Sequence, residues 1–520
     1  MADRAQPLGL AGWAGIAAAV AIPALIAVTA IAVILSAEGG RGLSAADWSA
    51  IRFTLWQALL SALISVGLAI PVARALARRR FWGREALITL LGAPFLLPVI
   101  VAVFGLLAIF GRNGLLNTAL VAIGVEPISI FGLHGVVLAH VFLNLPLATR
   151  LLLQGWQTIP AERFRLAASL NMGPGALFRH LEIPMLIRAA PPAALVIFVI
   201  CTTSFAVALT LGGGPRATTV ELAIFQALRF DFDLSRAAML SVVQLVITGI
   251  MALVALKVAR TPDFGMGLDR PAKRWDADDL PRRMLDCILI VGAALFLIAP
   301  MAAVFVRGAA NIMGLPDVVW TSAGRSLLVA ALSTLLVVCA AYFMAAAAAR
   351  LRNGAAWIES AGLLAISASP LVLGTGLFVI VFQFVDPARL ALPVTALVNA
   401  IVTLPFALRV LIPAVRDADI SFGPLADSLN LVGWARVRLL TLPRIRKQLG
   451  FSAGLAAALS MGDLGVIALF ADPESATLPL QLYRLMGAYR MDDAAGASML
   501  LLCLSFFLFW ACDWGGRRGA

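Results

Sequence analysis

The sequence predicts an all-α, polytopic membrane protein of about 12 transmembrane helices, arranged as two tandem six-helix repeats. Hydrophobic residues make up 61% of the 520 residues and charged residues only 13%, and the mean hydropathy is +0.96. Soluble domains are about one quarter charged. A dozen apolar runs have lengths near the roughly 20 residues that cross the hydrocarbon core as a helix. One polar stretch also occurs twice, as LAASLN ending at Asn171 and as LADSLN ending at Asn430.

Each apolar run is predicted to be one membrane-spanning helix. Backbone polar groups in lipid must be satisfied internally, and the runs are too continuously apolar for the alternating strands of a barrel. The 12 spans are expected near residues 10–35, 51–75, 86–110, 134–154, 189–211, 236–257, 285–306, 325–348, 357–384, 391–412, 450–470 and 496–513.

The duplication extends through both halves of the chain. FTLWQALLSALISV matches RSLLVAALSTLLVV, which pairs Ser61 with Ser333, and LPLATR matches LPFALR, which pairs Pro146 with Pro405. The spacing between partners falls from 272 to 259 positions between these two matches, so the length difference is placed in the external loop after the third span.

This alignment divides the chain into a first repeat at 1–260, a cytoplasmic linker at 261–283 and a second repeat at 284–520. Both repeats have the same topology, which predicts a symmetry axis along the membrane normal.

The positive charge is interpreted as a topology signal. The net charge is +12, and most of the 40 Lys and Arg residues fall on one side of the predicted spans. This bias predicts that both termini are cytoplasmic, and no nucleic-acid partner is expected. The five cysteines show no metal or redox spacing, so no metal site is expected.

The two polar stretches are predicted to form helix-turn-helix elements on the membrane surface. In the first, apolar residues from Glu162 to Leu170 follow helical spacing, and Asn171 stands where a left-handed residue would end the helix. A second short helix is expected through Phe178, before Pro184. An ordinary loop is the alternative interpretation, but the second copy with the same spacing favours the helical one.

These stretches resemble the EAA loop of permease subunits of binding-protein-dependent ABC importers. That pattern is EAA, a Gly four residues after the second Ala, and a Pro thirteen residues after the Gly. Here Asn171 and Asn430 replace the Gly, Pro184 and Pro443 match the Pro, and the leading Glu is replaced by Arg165 and Pro424. We refer to residues 162–188 as loop 1 and to residues 414–448 as loop 2.

In the family, the EAA loop docks into a groove on an ATPase subunit. The resemblance therefore implies a set of ATPase-coupling residues in both loops. They are Arg165, Leu166, Ala167, Ala168, Leu170, Asn171, Gly173 and Pro184 in loop 1, and Leu425, Ala426, Leu429, Asn430, Gly433 and Pro443 in loop 2.

Three further stretches narrow the resemblance. TLGGGPRATTVELAIFQAL (210–228), GLHGVVLAHVFLNLPLATRLLLQ (132–154) and SMGDLGVIALF (460–470) resemble the fused permeases of thiamine and thiamine pyrophosphate importers of Gram-negative bacteria. This implies transport of thiamine or its phosphate esters across the bacterial inner membrane. It also implies a periplasmic substrate-binding protein and a cytoplasmic ATPase dimer as partners.

The chain is not expected to hydrolyse ATP or to hold a cofactor of its own. A P-loop needs a Lys that follows phosphate-binding glycines, and none of Lys257, Lys273 and Lys447 follows a Gly. ATP and Mg²⁺ are expected on the partner ATPase.

Polar groups within or beside the spans are the candidates for the substrate path. Asp463 stands within the eleventh span, where a carboxylate is costly and often functional, although it could serve as a structural ion-pair partner instead. There it would balance the positive charge of a thiazolium ring. His140, Asn144 and Asn399 occupy corresponding parts of the two halves and suggest an interface between them, with helix packing as the alternative. Glu221 is placed externally, either at a gate, in contact with the binding protein, or in a solvated loop.

Two other functions remain open on the sequence alone. The first is the same kind of permease carrying another solute, such as ferric iron. The second is a secondary transporter or an intramembrane enzyme. The secondary transporter and the intramembrane enzyme are disfavoured because few acids lie within spans, the chain has only three histidines, and it has no HExxH motif.

Overall fold

A computed structural model describes residues 9–37, 42–92, 96–258, 274, 276, 279–351, 355–367, 369–472 and 474–518. These residues form helices joined by turns, with no strand among them. The predicted all-α, polytopic class is therefore confirmed. Most of the linker predicted at 261–283 lies outside the described residues.

In the region predicted as the first repeat, the described residues form 12 α-helices. They are α1 (Leu10–Ala37), α2 (Ala45–Arg78), α3 (Arg84–Leu90), α4 (Val99–Phe110), α5 (Leu115–Ala122), α6 (Leu133–Gln157), α7 (Ala161–Ser169), α8 (Pro174–Leu177), α9 (Ile183–Thr202), α10 (Phe205–Leu211), α11 (Val220–Arg229) and α12 (Leu234–Val258).

In the region predicted as the second repeat, the described residues form ten α-helices. They are α13 (Leu280–Asn311), α14 (Asp317–Arg350), α15 (Ala355–Ser367), α16 (Pro370–Phe382), α17 (Ala391–Ser428), α18 (Gly433–Arg436), α19 (Leu442–Met461), α20 (Gly465–Phe470), α21 (Leu478–Gly487) and α22 (Met491–Arg517).

Eleven helical segments of the described chain are long and apolar enough to cross a membrane, one fewer than predicted. The ninth predicted span is divided between α15 and the short helix α16, neither of which is long enough alone. The third is divided between α3 and α4, and the segment counted there runs from Val99 through α5 to Ala122. Pro98 and Pro370 stand at the starts of α4 and α16, 272 positions apart. A Pro restricts the residue before it and cannot donate to the preceding turn, so each span is interrupted at the same place.

The fifth span of each repeat is also interrupted. α9 ends at Thr202 and α10 begins at Phe205, while α19 ends at Met461 and α20 begins at Gly465. Continuous helices were expected over 189–211 and 450–470. Both repeats therefore place half-helices within the membrane, a feature found where irregular backbone lines a cavity or is buried in protein.

The first helix of each repeat packs against the other repeat. α1 contacts α14 and α16, and α13 contacts α2 and α4. A Cβ atom on Gly376 of α16 would lie 2.7 Å from the Cβ atom of Thr29 in α1, and one on Gly105 of α4 would lie 2.7 Å from the carbonyl oxygen of Pro300 in α13. Only glycine allows these backbones to approach so closely. The two repeats therefore exchange their first helices.

Loops 1 and 2 lie at the same end of the bundle. Asp286, near the start of α13, pairs with the end of α2 beside loop 1. Gly516, near the end of α22, packs on Gly450 beside loop 2. Gly308, near the other end of α13, packs on Met499, near the start of α22, so these two helices are antiparallel. The start of α13 and the end of α22 therefore lie at the same end of the bundle as the two loops.

Candidate coupling surface and membrane path

The helix before Asn171 and the helix before Asn430 end in the same way. Both asparagines have left-handed backbones, with φ of 50° and 51°. In loop 1 the amide of the following Met172 donates to the carbonyl oxygen of Ala167 at 3.0 Å, and the equivalent bond in loop 2 is 2.9 Å long. This is the Schellman arrangement that satisfies the last carbonyls of a helix. The left-handed termination predicted at these asparagines is present.

Each of the two loops presents leucines outward from a buried alanine. Ala167 and Ala426 are 2% and 0% exposed, and they fasten their helices to the bundle. The apolar residues that the sequence places at helical spacing in the first helix do not share one environment, because Phe164 and Ala167 are buried whereas the leucines point away. The leucines are 56–64% exposed, and they are Leu166, Leu170, Leu425 and Leu429. Such paired exposed apolar surfaces favour a docking function.

A π-helical turn follows in each loop, over Phe178–Glu182 and Val437–Thr441. Pro184 and Pro443 lie at the start of the next helix. A Pro ring would clash with the carbonyl four residues earlier and offers no N–H to it, so the helix widens by one residue. The second short helix expected in loop 1 therefore continues into the fifth span instead of ending before Pro184.

The two loops differ in how they begin. α7 is separated from α6, whereas α17 runs unbroken for 38 residues from the membrane span into loop 2. Arg165 is exposed on α7, and Pro424 is exposed within α17. Gly173 precedes α8 with an extended backbone, whereas Gly433 has φ of 56° and stands one position beyond the residue that corresponds to Gly173. Loop 2 is therefore not a separate helix-turn-helix.

A buried group of charges lies beside loop 1. The carboxylate of Glu182, in the π turn, forms ion pairs with Arg74 of α2 at 2.7 Å and with Arg274 of the linker at 2.6 Å. Asp276 pairs with Arg274 at 2.8 Å and with Arg78 at 3.2 Å. Burial raises the pKa of the Asp276 carboxyl, but the hydrogen bond and positive charge of Arg274 outweigh burial and hold that pKa below its usual value.

The breaks in the fifth spans have polar side chains as caps. In the first repeat, Gln57 of α2 donates to the carbonyl oxygen of Cys201 at 2.8 Å, and Gln244 of α12 donates to that of Thr202 at 2.9 Å. These carbonyls would otherwise be left unpaired where α9 stops, which is costly in a membrane.

Asp463 lies in the break of the second repeat, 259 positions after Ser204 in the break of the first. One carboxylate oxygen accepts a hydrogen bond from the amide of Gly465 at 3.3 Å. The other is buried without a hydrogen-bond partner among the described residues. The surrounding contacts cross between repeats, since Gly462 packs on Pro98 and Gly465 lies beside Phe205. Asp463 therefore stands where the interrupted spans of both repeats meet.

The side chains of His140, Asn144 and Asn399 make their hydrogen bonds within single repeats. Asn144 donates to Cys201 Sγ at 3.5 Å, and Asn399 donates to Ser460 Oγ at 3.0 Å. His140 Nδ1 lies 3.3 Å from the hydroxyl of Ser61. These hydrogen bonds therefore do not form the interface between the two halves that the sequence suggests for these residues. Cys201 and Ser460 correspond in the two repeats, so the amides brace the fourth span of each repeat against the break in its fifth span.

Glu221 does join the two repeats. It is 1% exposed, in the first turn of α11, and accepts a hydrogen bond from the hydroxyl of Ser369 at the start of α16. The solvated-loop interpretation is therefore wrong, because α11 packs into the bundle: its first amide, from Val220, donates to Thr54 of α2 at 2.9 Å. In the second repeat the amide of Leu478 makes the equivalent bond with Ser326 at 2.8 Å.

The residues that support these sites were not predicted from the sequence. Gln57 and Gln244 are polar residues inside apolar runs, which could have singled them out. The partners of Glu182 carry no such signal, since Arg74, Arg78 and Arg274 do not differ in sequence from the other basic residues near the membrane.

The whole chain is similar to known permeases. It is 39% identical over 528 residues to the thiamine transport system permease protein ThiP of Salmonella typhimurium, covering 98% of this chain and 97% of that protein. It is 38% identical over 506 residues to ThiP of Brucella abortus, with coverage of 94% and 93%. It is 33% identical over 470 residues to ThiP of Haemophilus influenzae, with coverage of 88% and 87%. No family model matches the chain. From its near full-length similarity to these proteins and its membrane-spanning helices, the chain belongs to the family of thiamine transport system permease proteins.

Proposed function

We propose that this chain is the permease subunit of an ABC importer that moves thiamine or its phosphate esters across the bacterial inner membrane. Its relatives along nearly the full length are named as permeases of thiamine transport systems. A permease provides the path, and ATP hydrolysis belongs to a separate ATPase dimer.

The observation that carries the ATP-driven mechanism is the pair of loops at one end of the bundle. Each loop offers two exposed leucines on a helix closed by a left-handed Asn. Two equivalent surfaces fit the two subunits of an ATPase dimer. The loops and both termini then face the cytoplasm, and a periplasmic binding protein delivers substrate at the opposite end.

The interrupted spans provide the path. Asp463 has a carboxylate oxygen with no hydrogen-bond partner in the described structure, and it offers a counter-charge to the thiazolium ring. The Glu221–Ser369 bond closes one repeat on the other. Movement of the loops on ATP binding would rock the repeats and alternate access to Asp463.

Uptake into proteoliposomes tests this function. The chain is reconstituted with its ATPase and with the binding protein, and uptake of labelled thiamine is measured with and without ATP. Unlabelled thiamine, thiamine phosphate and thiamine pyrophosphate are expected to compete, and a ferric iron complex is not. Competition by the iron complex alone would support the other solute class.

Copurification with the ATPase tests the docking surface. Leu170→Asp and Leu429→Asp are each expected to weaken binding, because a charge replaces an apolar contact. Met313→Asp is the control, since Met313 is 95% exposed in the turn that follows α13, at the end of that helix opposite the loops. Equal loss of binding in the control would contradict docking at the loops.

A further inference from the structure

Glu182 is the centre of a buried clasp that joins loop 1 to the linker. We define the clasp as Arg74, Arg78, Glu182, Arg274 and Asp276. The side chains of both acids are 0% exposed, and those of Arg78 and Arg274 are only 5% and 8% exposed. Burying a charged carboxylate without a partner is costly; here Glu182 pairs with Arg274, Arg74 and Arg78 at 2.6, 2.7 and 3.9 Å, and Asp276 pairs with Arg274 and Arg78.

The clasp also holds two aromatic rings of loop 1. The guanidinium of Arg274 lies 4.5 Å from the ring centre of Phe164 in α7, and that of Arg74 lies 4.4 Å from the ring centre of Phe178 in the π turn. Cations stack favourably on aromatic faces at such distances. Glu182 therefore positions the two arginines that stack on aromatic rings of loop 1, one before and one after the turn at Asn171.

The other side of the clasp leads into the second repeat. Arg282, in the first turn of α13, donates to the carbonyl oxygen of Asp276 at 2.9 Å. One turn further, Asp286 pairs with Arg79 at the end of α2 at 2.8 Å. α13 is the exchanged helix that packs against α2 and α4 of the first repeat. A continuous set of contacts thus runs from loop 1 through Glu182 to the start of α13.

Loop 2 is built differently at the corresponding place. Thr441 stands where loop 1 has Glu182. The ion-pair centre of loop 2 is Arg436, whose partners Asp419 and Asp427 lie at 3.1 Å and 2.7 Å within loop 2 itself.

We propose that Glu182 is a positioning residue that transmits displacement of loop 1, through the linker, to α13. This inference rests on the proposed ATP-driven function. The two ATPase contacts are then unequal: loop 1 moves α13 of the second repeat as well as its own span, whereas loop 2 is joined by Arg416 to α15 of its own repeat and by Arg436 to itself.

The test compares transport with ATP hydrolysis in the reconstituted complex. Glu182→Gln keeps the size of the side chain but removes the charge that holds two arginines. This variant leaves the docking leucines of loop 1 unchanged, so ATPase binding and hydrolysis are expected to persist. Thiamine transported per ATP hydrolysed is expected to fall roughly 5- to 150-fold, the range of ordinary coupling free energies.

Three further variants make the result specific. Arg274→Gln, in the linker, is expected to lower the ratio of thiamine transported to ATP hydrolysed. This variant tests the proposed link between loop 1 and α13 if Glu182→Gln does not fold. Glu182→Asp keeps the charge and should recover part of the ratio. Thr441→Ser, at the matched position of loop 2, should leave the ratio unchanged.

An unchanged ratio in both Glu182→Gln and Arg274→Gln would overturn the proposal. So would a parallel loss of transport and hydrolysis, because that result indicates a purely structural or docking role. Wild-type complex without any ATP-driven uptake would instead refute the proposed function, and this inference with it.

Discussion

Asn171 and Asn430 hold the left-handed backbone that closes each coupling helix. That conformation costs most L-residues about 1–2 kcal/mol, and Asn tolerates it better because its short side chain can hydrogen-bond locally. The family pattern has Gly here, which pays no such steric cost. The turn geometry is therefore kept although the residue has changed.

Substitutions at Asn430 are expected to separate conformation from chemistry. Asn430→Gly should retain both thermal stability and ATPase binding, because Gly adopts positive φ without strain. Asn430→Val should lower stability by about 1–3 kcal/mol, since a β-branched residue is strained there. Thermal unfolding in detergent and copurification with the ATPase measure the two effects. Equal behaviour of the two variants would contradict a backbone role.

Asp463 is expected to act on a cationic substrate by charge. Asp463→Asn can keep the hydrogen bond from the Gly465 amide but loses the negative charge. An unscreened pair near 4 Å contributes between about 1 and 4 kcal/mol, depending on the surrounding dielectric. Transport KM for thiamine should therefore rise at least about fivefold. Ser204→Ala, at the matched position, should leave KM unchanged. A wild-type KM in Asp463→Asn would show that the carboxylate has a structural role.

At the scale of the element, the interrupted spans determine where polar residues are needed. α9 stops inside the membrane, and the carbonyls of Cys201 and Thr202 need donors from other helices. Gln57 and Gln244 supply them. The cost of the break is thus offset by two buried amides from α2 and α12.

Gln57→Leu is expected to destabilise the protein by about 1–3 kcal/mol, because it leaves the carbonyl of Cys201 unpaired. The free energy of unfolding is measured by denaturant titration in detergent micelles. Ser65→Ala is the matched control on the same helix, since the Ser65 hydroxyl is buried without a described partner. A larger loss in the control than in Gln57→Leu would contradict the capping role.

The sequence was sufficient for the helical class, the duplication and the left-handed asparagines, because these follow from apolar run length and residue spacing. The interruptions at Pro98 and Pro370 were missed because short apolar half-helices read as one continuous run. The burial of Glu221 was missed because its partner Ser369 lies 148 positions away in the other repeat. Pairings of this kind depend on tertiary packing, which local pattern does not contain.

At the scale of the molecule, the exchange of α1 and α13 makes the two repeats one unit. Each exchanged helix crosses a glycine of the opposite repeat, at Gly376 and Gly105. The positions correspond closely in the two repeats, so the crossing is part of the duplicated architecture. Rocking of one repeat against the other then moves helices that belong to both.

Widening either crossing is expected to destabilise the whole molecule. Gly105→Val and Gly376→Val place side-chain atoms against backbone, and overpacking of this kind costs about 1–3 kcal/mol or more. Gly324→Ala is the control, because nothing lies within 4 Å of its Cβ position. Thermal unfolding in detergent should show a lower midpoint for each of the two valine variants and an unchanged midpoint for the control. Unchanged midpoints in both valine variants would argue against tight crossings.

The central claim is that ATP acts through loops 1 and 2 to drive thiamine across the membrane. Its most direct measurement is uptake of labelled thiamine by proteoliposomes that contain the chain, the ATPase and the binding protein. Wild type should accumulate thiamine only with ATP, and the Leu170→Asp, Leu429→Asp double variant should lose that uptake while remaining folded. Uptake by the double variant at the wild-type rate, or uptake without ATP, would contradict the account.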